Sequence, residues 1–151
     1  MSNTLLFEDV PEGFTLDTGA IVVTESHIVQ FAGLSGDFFD VHMDDDFAQT
    51  LGFPKRIAHG LLGLILTDGL KNRAERTFAG VASLNWNWNF RKPIFAGDRI
   101  KASITVIAKR MTKRPDRGLL TLSFAVTNQH GEVVQEGTNV LMVLTNEDSA
   151  A

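Results

Sequence analysis

The sequence predicts an α+β fold, with one long apolar helix packed against an antiparallel sheet. Three observations carry this. Residues 59–74 read HGLLGLILTDGLKNRA, apolar nearly all round their first three turns, as a buried helix is. From Gly80 onward the pattern changes to period two and keeps it. The segments so patterned are separated by short turns, which makes antiparallel pairing the default.

Size and composition agree. At 151 residues and 16.6 kDa, with 44% hydrophobic and 21% charged residues, the chain suits one soluble domain with a sizeable core. The domain is expected to span residues 1–151, with 1–13 as a surface lead-in and 146–151 as a flexible tail. There are no cysteines, so disulfides, thiolate metal sites and cysteine nucleophiles are excluded. A formal charge of -4 argues against a nucleic-acid partner. No apolar run approaches the roughly 20 residues of a membrane span, and the N-terminus is unlike a secretory signal. A cytoplasmic location without a membrane partner is expected.

Each element has a local cause. FTLDTGAIVV (14–23) favours strand, with Thr18-Gly19 as a bend. Thr24 caps a short helix, TESHIVQFAGL, which Gly36 ends in a left-handed conformation. The run Asp44-Asp45-Asp46 supplies a cap and favourable charge at the start of a second short helix, FAQTLGF. That makes a solvated helix start the better reading of these acids than a calcium loop, which needs alternating oxygen ligands over a longer stretch. In the long helix Gly60, Gly63 and Gly69 each cost about 1 kcal/mol relative to alanine, so close approach of a sheet or a ligand is expected there.

Leu84, Trp86, Trp88 and Phe90 then alternate with Ser83, Asn85, Asn87 and Asn89 in a first strand of the second half. RKPIFAGD leads to a second, with Ile100, Ala102, Ile104, Val106 and Ala108 on one face. The basic turn KRMTKRPDRG leads to LLTLSFAVTN, and His130-Gly131 turns into EVVQEGTNVLMVLT. A long helix wrapped by a curved sheet of this kind is a hot dog fold.

The chemistry-bearing residues cluster before and at the long helix. Asp37 and His42 share a short loop after Gly36, and His59-Gly60 opens the helix. Five residues of turn allow both side chains to reach one water. Asp37 also suits a turn former, and His42 a hydrogen-bonded filler. His27 and His130 carry no assigned role. The basic turn holds Lys109, Arg110, Lys113, Arg114 and Arg117 against Asp116 alone. It suits a phosphate contact as well as a solvated hairpin tip.

SGDFFDVHMDDDFA followed by RIAHGLLG resembles the MaoC-like dehydratases, the family of (R)-specific enoyl-CoA hydratases. Their signature, approximately Ser/Thr-Gly-Asp-x-Asn-Pro-aliphatic-His-x-Asp with a small residue soon after, is met by Ser35, Gly36, Asp37, Val41, His42, Asp44 and Ala48. Ile57, Ala58, His59 and Gly60 meet the family's Ile-Ala-His-Gly, and WNWNFRKPIFAGDRI its strand into Pro-x-x-x-Gly-Asp. Two positions depart: Phe39 stands for the family asparagine and Asp40 for the proline. A paired-phenylalanine loop is similar to members that act on branched or dicarboxylic acyl-CoAs such as mesaconyl-CoA.

The resemblance implies reversible addition of water across the 2,3 double bond of a 2-enoyl-CoA, giving an (R)-3-hydroxyacyl-CoA or a branched or dicarboxylic equivalent. It implies Asp37 and His42 as the catalytic pair, with the two roles unassigned, and the Gly60 amide as the oxyanion hole. Phe39, Ala58, His59, Arg110 and Arg114 are the candidate substrate contacts, although His59 also suits packing at the helix start. No metal and no cofactor is implied, coenzyme A entering with the substrate. Proteins of this kind pair two units with the acyl-CoA tunnel near the interface, so at least a homodimer is expected. The alternatives are a hot dog acyl-CoA thioesterase, which has no need of an Asp-x-x-x-x-His loop, and a non-catalytic acyl-CoA-binding subunit, which has no need of the pair at all.

Overall fold

A computed structural model describes residues 3–146 of the chain. Its elements are β1 (Thr4–Leu5), β2 (Thr15–Val22), α1 (Glu25–Ser35), α2 (Asp40–Met43), α3 (Asp45–Thr50), α4 (Gly60–Asn72), β3 (Thr77–Phe78), β4 (Gly80–Phe90), β5 (Arg99–Met111), β6 (Arg117–Thr127) and β7 (Val133–Leu144). The α+β arrangement is as expected: β2, β5, β6, β7 and β4 form one antiparallel sheet in that order, and α4 lies across it against β2 and β5.

The strand order departs from a simple meander. β4 does not pair with β5, which follows it; it pairs with β7 at the opposite edge, and β2 takes the place beside β5. Period two fixes which face a strand buries but says nothing of its neighbours. The inward residues Ile100, Ala102, Ile104, Val106, Leu120, Leu122, Phe124, Val126 and Val143 form the core with Ile28 and Leu62 from the helices. The alternation in β5 stops before Ala108, because the register with β6 shifts between Val106 and Ala108 and turns Ala108 outward.

The local signals hold. Thr24 accepts from the His27 backbone at 3.2 Å, and Gly36 ends α1 with φ 81°. Asp44 Oδ1 accepts from the N–H groups of Asp46 and Phe47 at the start of α3. At the expected bend, the Thr18 hydroxyl donates to the Gly19 carbonyl and accepts from the Ala102 N–H, where the β2–β5 register shifts.

Two expectations need correction. The lead-in is not a surface segment: Leu5 and Val10 are fully buried, and Lys109 Nζ donates to the carbonyls of Phe7 and Val10 at 2.6 and 2.9 Å. Nor is α4 buried all round. Leu61 is 57% exposed and Ile65 49%, while Leu62, Gly63, Thr67, Leu70 and Lys71 face inward. A single sheet covers only one side of a helix. Of the expected tail, Asn146 donates its N–H to Glu8, and residues 147–151 lie outside the described residues. No helix among the described residues is long and apolar enough to cross a membrane.

Candidate active site

The loop after α1 is wound tighter than the sequence suggested, because His42 lies on the single helical turn α2. The Asp37 Oδ1 atom accepts from the Phe39 N–H at 3.2 Å, so Asp37 does form a turn. Its other oxygen, Oδ2, faces His42 Nε2 at 3.9 Å. That gap is too long for a direct hydrogen bond and suits a shared water. The Asp37 side chain is 52% exposed and that of His42 11%.

The tautomer of His42 follows from its other nitrogen. Nδ1 lies 2.8 Å from the Ile57 carbonyl oxygen, which can only accept. Nδ1 therefore carries the proton, and in the neutral ring Nε2 presents a lone pair toward Asp37. The Ile57 N–H in turn donates to Val41, so the turn and the 57–60 segment hold each other.

His59, the N-cap of α4, joins the two halves. Its Nε2 donates to the Asp37 backbone carbonyl at 2.8 Å, and its ring stacks on His42 with centroids 3.8 Å apart and 27° between planes. Phe31 covers its other side at 4.7 Å. Burial, the largest influence, pushes the His59 ring below its ordinary value, against a smaller opposing effect of the Asp37 hydrogen bond. The expectation of a substrate contact is thus corrected for His59. It is buried behind His42 and binds the loop from within.

One ligand atom from each of Asp37, His42 and His59 lies within 4.8 Å of the other two, a spacing that invites a cation. The two rings stack, however, so their in-plane lone pairs run side by side instead of meeting at one point. One nitrogen of each ring also already donates to a carbonyl. The set suits a water better than a metal.

Gly60 begins α4, and the N–H groups of Gly60 and Leu61 precede the first hydrogen bonds of the helix. A cavity of about 440 Å³ opens at this end, lined by Ala58, Gly60, Leu61, Phe90 and Gln135, with Arg91 and Lys92 at its rim. Asp37 and His42 do not line it, but Ile57, whose carbonyl holds His42, does. The close approach expected at Gly60 comes from the sheet: a Cβ there would lie 2.7 Å from the Phe90 ring.

Of the remaining candidates, Ala58 faces this cavity. Phe39 is exposed and packs edge-on against Phe47 and, at 6.4 Å, His42. Arg110 and Arg114, expected at the coenzyme A phosphates, lie away from the start of α4. The β5–β6 turn lies at the Leu144 end of β7, whereas Gln135 and Phe90 pair at its other end, a strand length of about 30 Å away. Arg114 also grips Asp116 with Nε and Nη2 at 3.0 and 2.8 Å. Sequence reasoning missed Phe90, Arg91, Lys92 and Gln135; Gln135 opens the polar run QEGTN within β7, which gave no sign that its side chain is buried.

Residues 11–128 match the family described as MaoC like domain. The chain is 35% identical over 138 residues to an (R)-specific enoyl-CoA hydratase of Rhodospirillum rubrum, covering 91% of this chain and 90% of that protein. It superimposes on the crystal structure of a MaoC-like dehydratase from Rhodospirillum rubrum with a TM-score of 0.84 and 29% identity, covering 94% and 98% of the two chains. A Mycobacterium tuberculosis protein described as having a double hotdogfold matches at TM-score 0.83 and 18% identity, over 97% of this chain and 46% of that one. The fold is the hot dog fold.

Proposed function

The chain belongs to the MaoC-like dehydratases, and on that premise we propose that it hydrates 2-enoyl-CoA thioesters to (R)-3-hydroxyacyl-CoA through Asp37 and His42. It is a carbon–oxygen lyase of the hydratase type, as are the relatives it matches. The observation that carries the residue assignment is the fixed His42 tautomer, with Nε2 3.9 Å from Asp37 Oδ2. An ionised carboxylate and a neutral Nε2 are both acceptors, and one water has two hydrogens to give them.

From this geometry the roles divide. Water held between Asp37 and His42 gives a proton to His42 Nε2 as its oxygen bonds to C3. The C2=C3 electron pair shifts onto the thioester oxygen, which rests on the N–H groups of Gly60 and Leu61 at the positive end of α4. The His42 imidazolium then returns the proton to C2, and Asp37 stabilises the transient positive ring. His59 holds the Asp37 backbone throughout.

Leu34, Phe38, Leu61 and Ile65, from the end of α1, the loop after it and the exposed side of α4, are large apolar side chains open to solvent, and a second copy of the chain is the cover this reading gives them. The place of action in this reading is the cytoplasm. Mesaconyl-type acyl groups are a finer possibility that Phe39, exposed beside His42, leaves for the substrate panel to decide.

The test is a panel of crotonyl-, hexenoyl- and mesaconyl-CoA, followed by loss of conjugated thioester absorbance and by release of free thiol. Absorbance loss without thiol is expected, the rates naming the acyl group. Thiol release instead would mark a thioesterase, and binding without turnover a non-catalytic binder.

A further inference from the structure

One side chain of the sheet grips the first turn of α4. Gln135 in β7 is only 2% exposed, and its Nε2 donates to the Gly60 carbonyl at 3.0 Å. Its Oε1 accepts from Trp88 Nε1–H at 2.9 Å. An indole N–H can only donate and a carbonyl can only accept, so these partners leave the amide one orientation. Gly63 makes the space: a Cβ there would lie 2.3 Å from Gln135 Nε2. With the Phe90 ring against Gly60, the helix start rests on a sheet platform shaped to it.

Packing alone does not require this. A leucine or methionine at position 135 fills similar volume without burying an amide, which is costly unless fully paired. Here the amide is paired to the first turn of α4, whose Gly60 and Leu61 N–H groups precede the hydrogen bonds of the helix. The Gly60 carbonyl shares a planar peptide unit with the Leu61 N–H, so fixing one fixes the direction of the other. Donation to that carbonyl also polarises the unit and makes its N–H a better donor.

We infer that Gln135, oriented by Trp88, is a positioning residue for the hydration reaction, holding the Gly60–Leu61 peptide so that its N–H meets the thioester oxygen as charge develops there. This rests on the assignment of the α4 start as the oxyanion-binding end. Loss of an oxyanion donor costs about 100–1,000-fold in rate. Loss of its orientation alone should cost less, about 10–100-fold in kcat, with KM changed by no more than about threefold, because the donor gains most of its strength as charge develops on the oxygen.

The decisive readout does not depend on turnover. In an Asp37→Asn background, bound 2,4-hexadienoyl-CoA should absorb to the red of the free thioester, since N–H groups at the carbonyl oxygen polarise the conjugated system. Adding Gln135→Met should leave binding in place and abolish most of the shift; Trp88→Phe, which keeps a ring and Gln135 but frees the amide to turn, should reduce it partly. A full shift in the Gln135→Met double variant, or unchanged kcat in Gln135→Met alone, overturns the inference. Should Gln135→Met not fold, Trp88→Phe decides alone, an unreduced shift counting against the clamp. Absence of any shift in Asp37→Asn itself overturns the oxyanion assignment beneath the inference, and shows itself before Gln135 is touched.

Discussion

The two ends of α4 both bury polar side chains against the sheet, and they do so to different effect. At the start, the buried group is a neutral amide, Gln135, directed at a turn whose own N–H groups remain open. Toward the finish, Lys71 is 3% exposed, with Nζ 2.7 Å from Asp68 Oδ1 and 5.6 Å from the Trp86 ring centre. The Lys71–Asp68 contact is a close ion pair without the angles of a hydrogen bond. Carboxylate, aromatic face and the negative end of the helix all quiet that charge locally. One end leaves its polarity open outward, and the other closes it inward. Whether the donors are used up tells the two apart.

The largest effect that would break this contrast lies at the open end. Asp37→Asn should lower kcat on crotonyl-CoA by about 100- to 10,000-fold, the usual worth of a positioned acid–base group, with binding kept by calorimetry. At the closed end, Asp68→Asn strands a buried ammonium and should cost about 3 kcal/mol in urea unfolding, whereas Lys71→Met leaves a partly exposed carboxylate and should stay within about 1 kcal/mol. Neither should alter kcat by more than about twofold, an outcome that follows only if this end does no chemistry.

Two glycines sharpen the comparison further. Gly63→Ala drives a Cβ into Gln135 and should lower kcat about tenfold despite the better helix propensity of alanine. At Gly69 a Cβ meets nothing within 4 Å, so Gly69→Ala should stabilise by up to about 1 kcal/mol at unchanged activity. A smaller effect concerns His59. Its folded-state value is lowered from 6.5, so as pH falls the unfolded chain takes up the proton first. The stability from the neutral ring is present above that value and fades below it. Urea midpoints should therefore fall from about pH 7 to about pH 5.5, and fall less in His59→Gln. Smallest of all, Arg114→Ala at the far hairpin should leave the urea midpoint and CoA-ester turnover essentially unchanged.

What was legible in the sequence is what acts over a few residues. Thr24 and Gly36 bracket α1, Asp44 caps α3, and the Thr18-Gly19 bend sits where the β2 register shifts. Asp37 and His42 meet because five residues of turn bring them together. The partners that complete the site were not legible, since Phe90 and Gln135 reach Gly60 through a strand order that alternation cannot encode. The same blindness hid where Arg110 and Arg114 lie: a basic hairpin looks alike at either end of a sheet. The glycines at 60 and 63 did announce a close neighbour, but not its name.

The bond from His59 Nε2 to the Asp37 carbonyl has a consequence in time. Swinging the 37–42 segment away from the helix would break that bond, the His42–Ile57 contact and the Ile57 N–H bond to the Val41 carbonyl together. Segments stitched at several points open as a unit and therefore seldom, while lids are drawn from loosely held chain. The segment is accordingly no lid. In the proposed reaction, acyl groups would come and go past a stationary carboxylate, with the rhythm of turnover set by the chemistry and by the departing ester and not by a swinging loop.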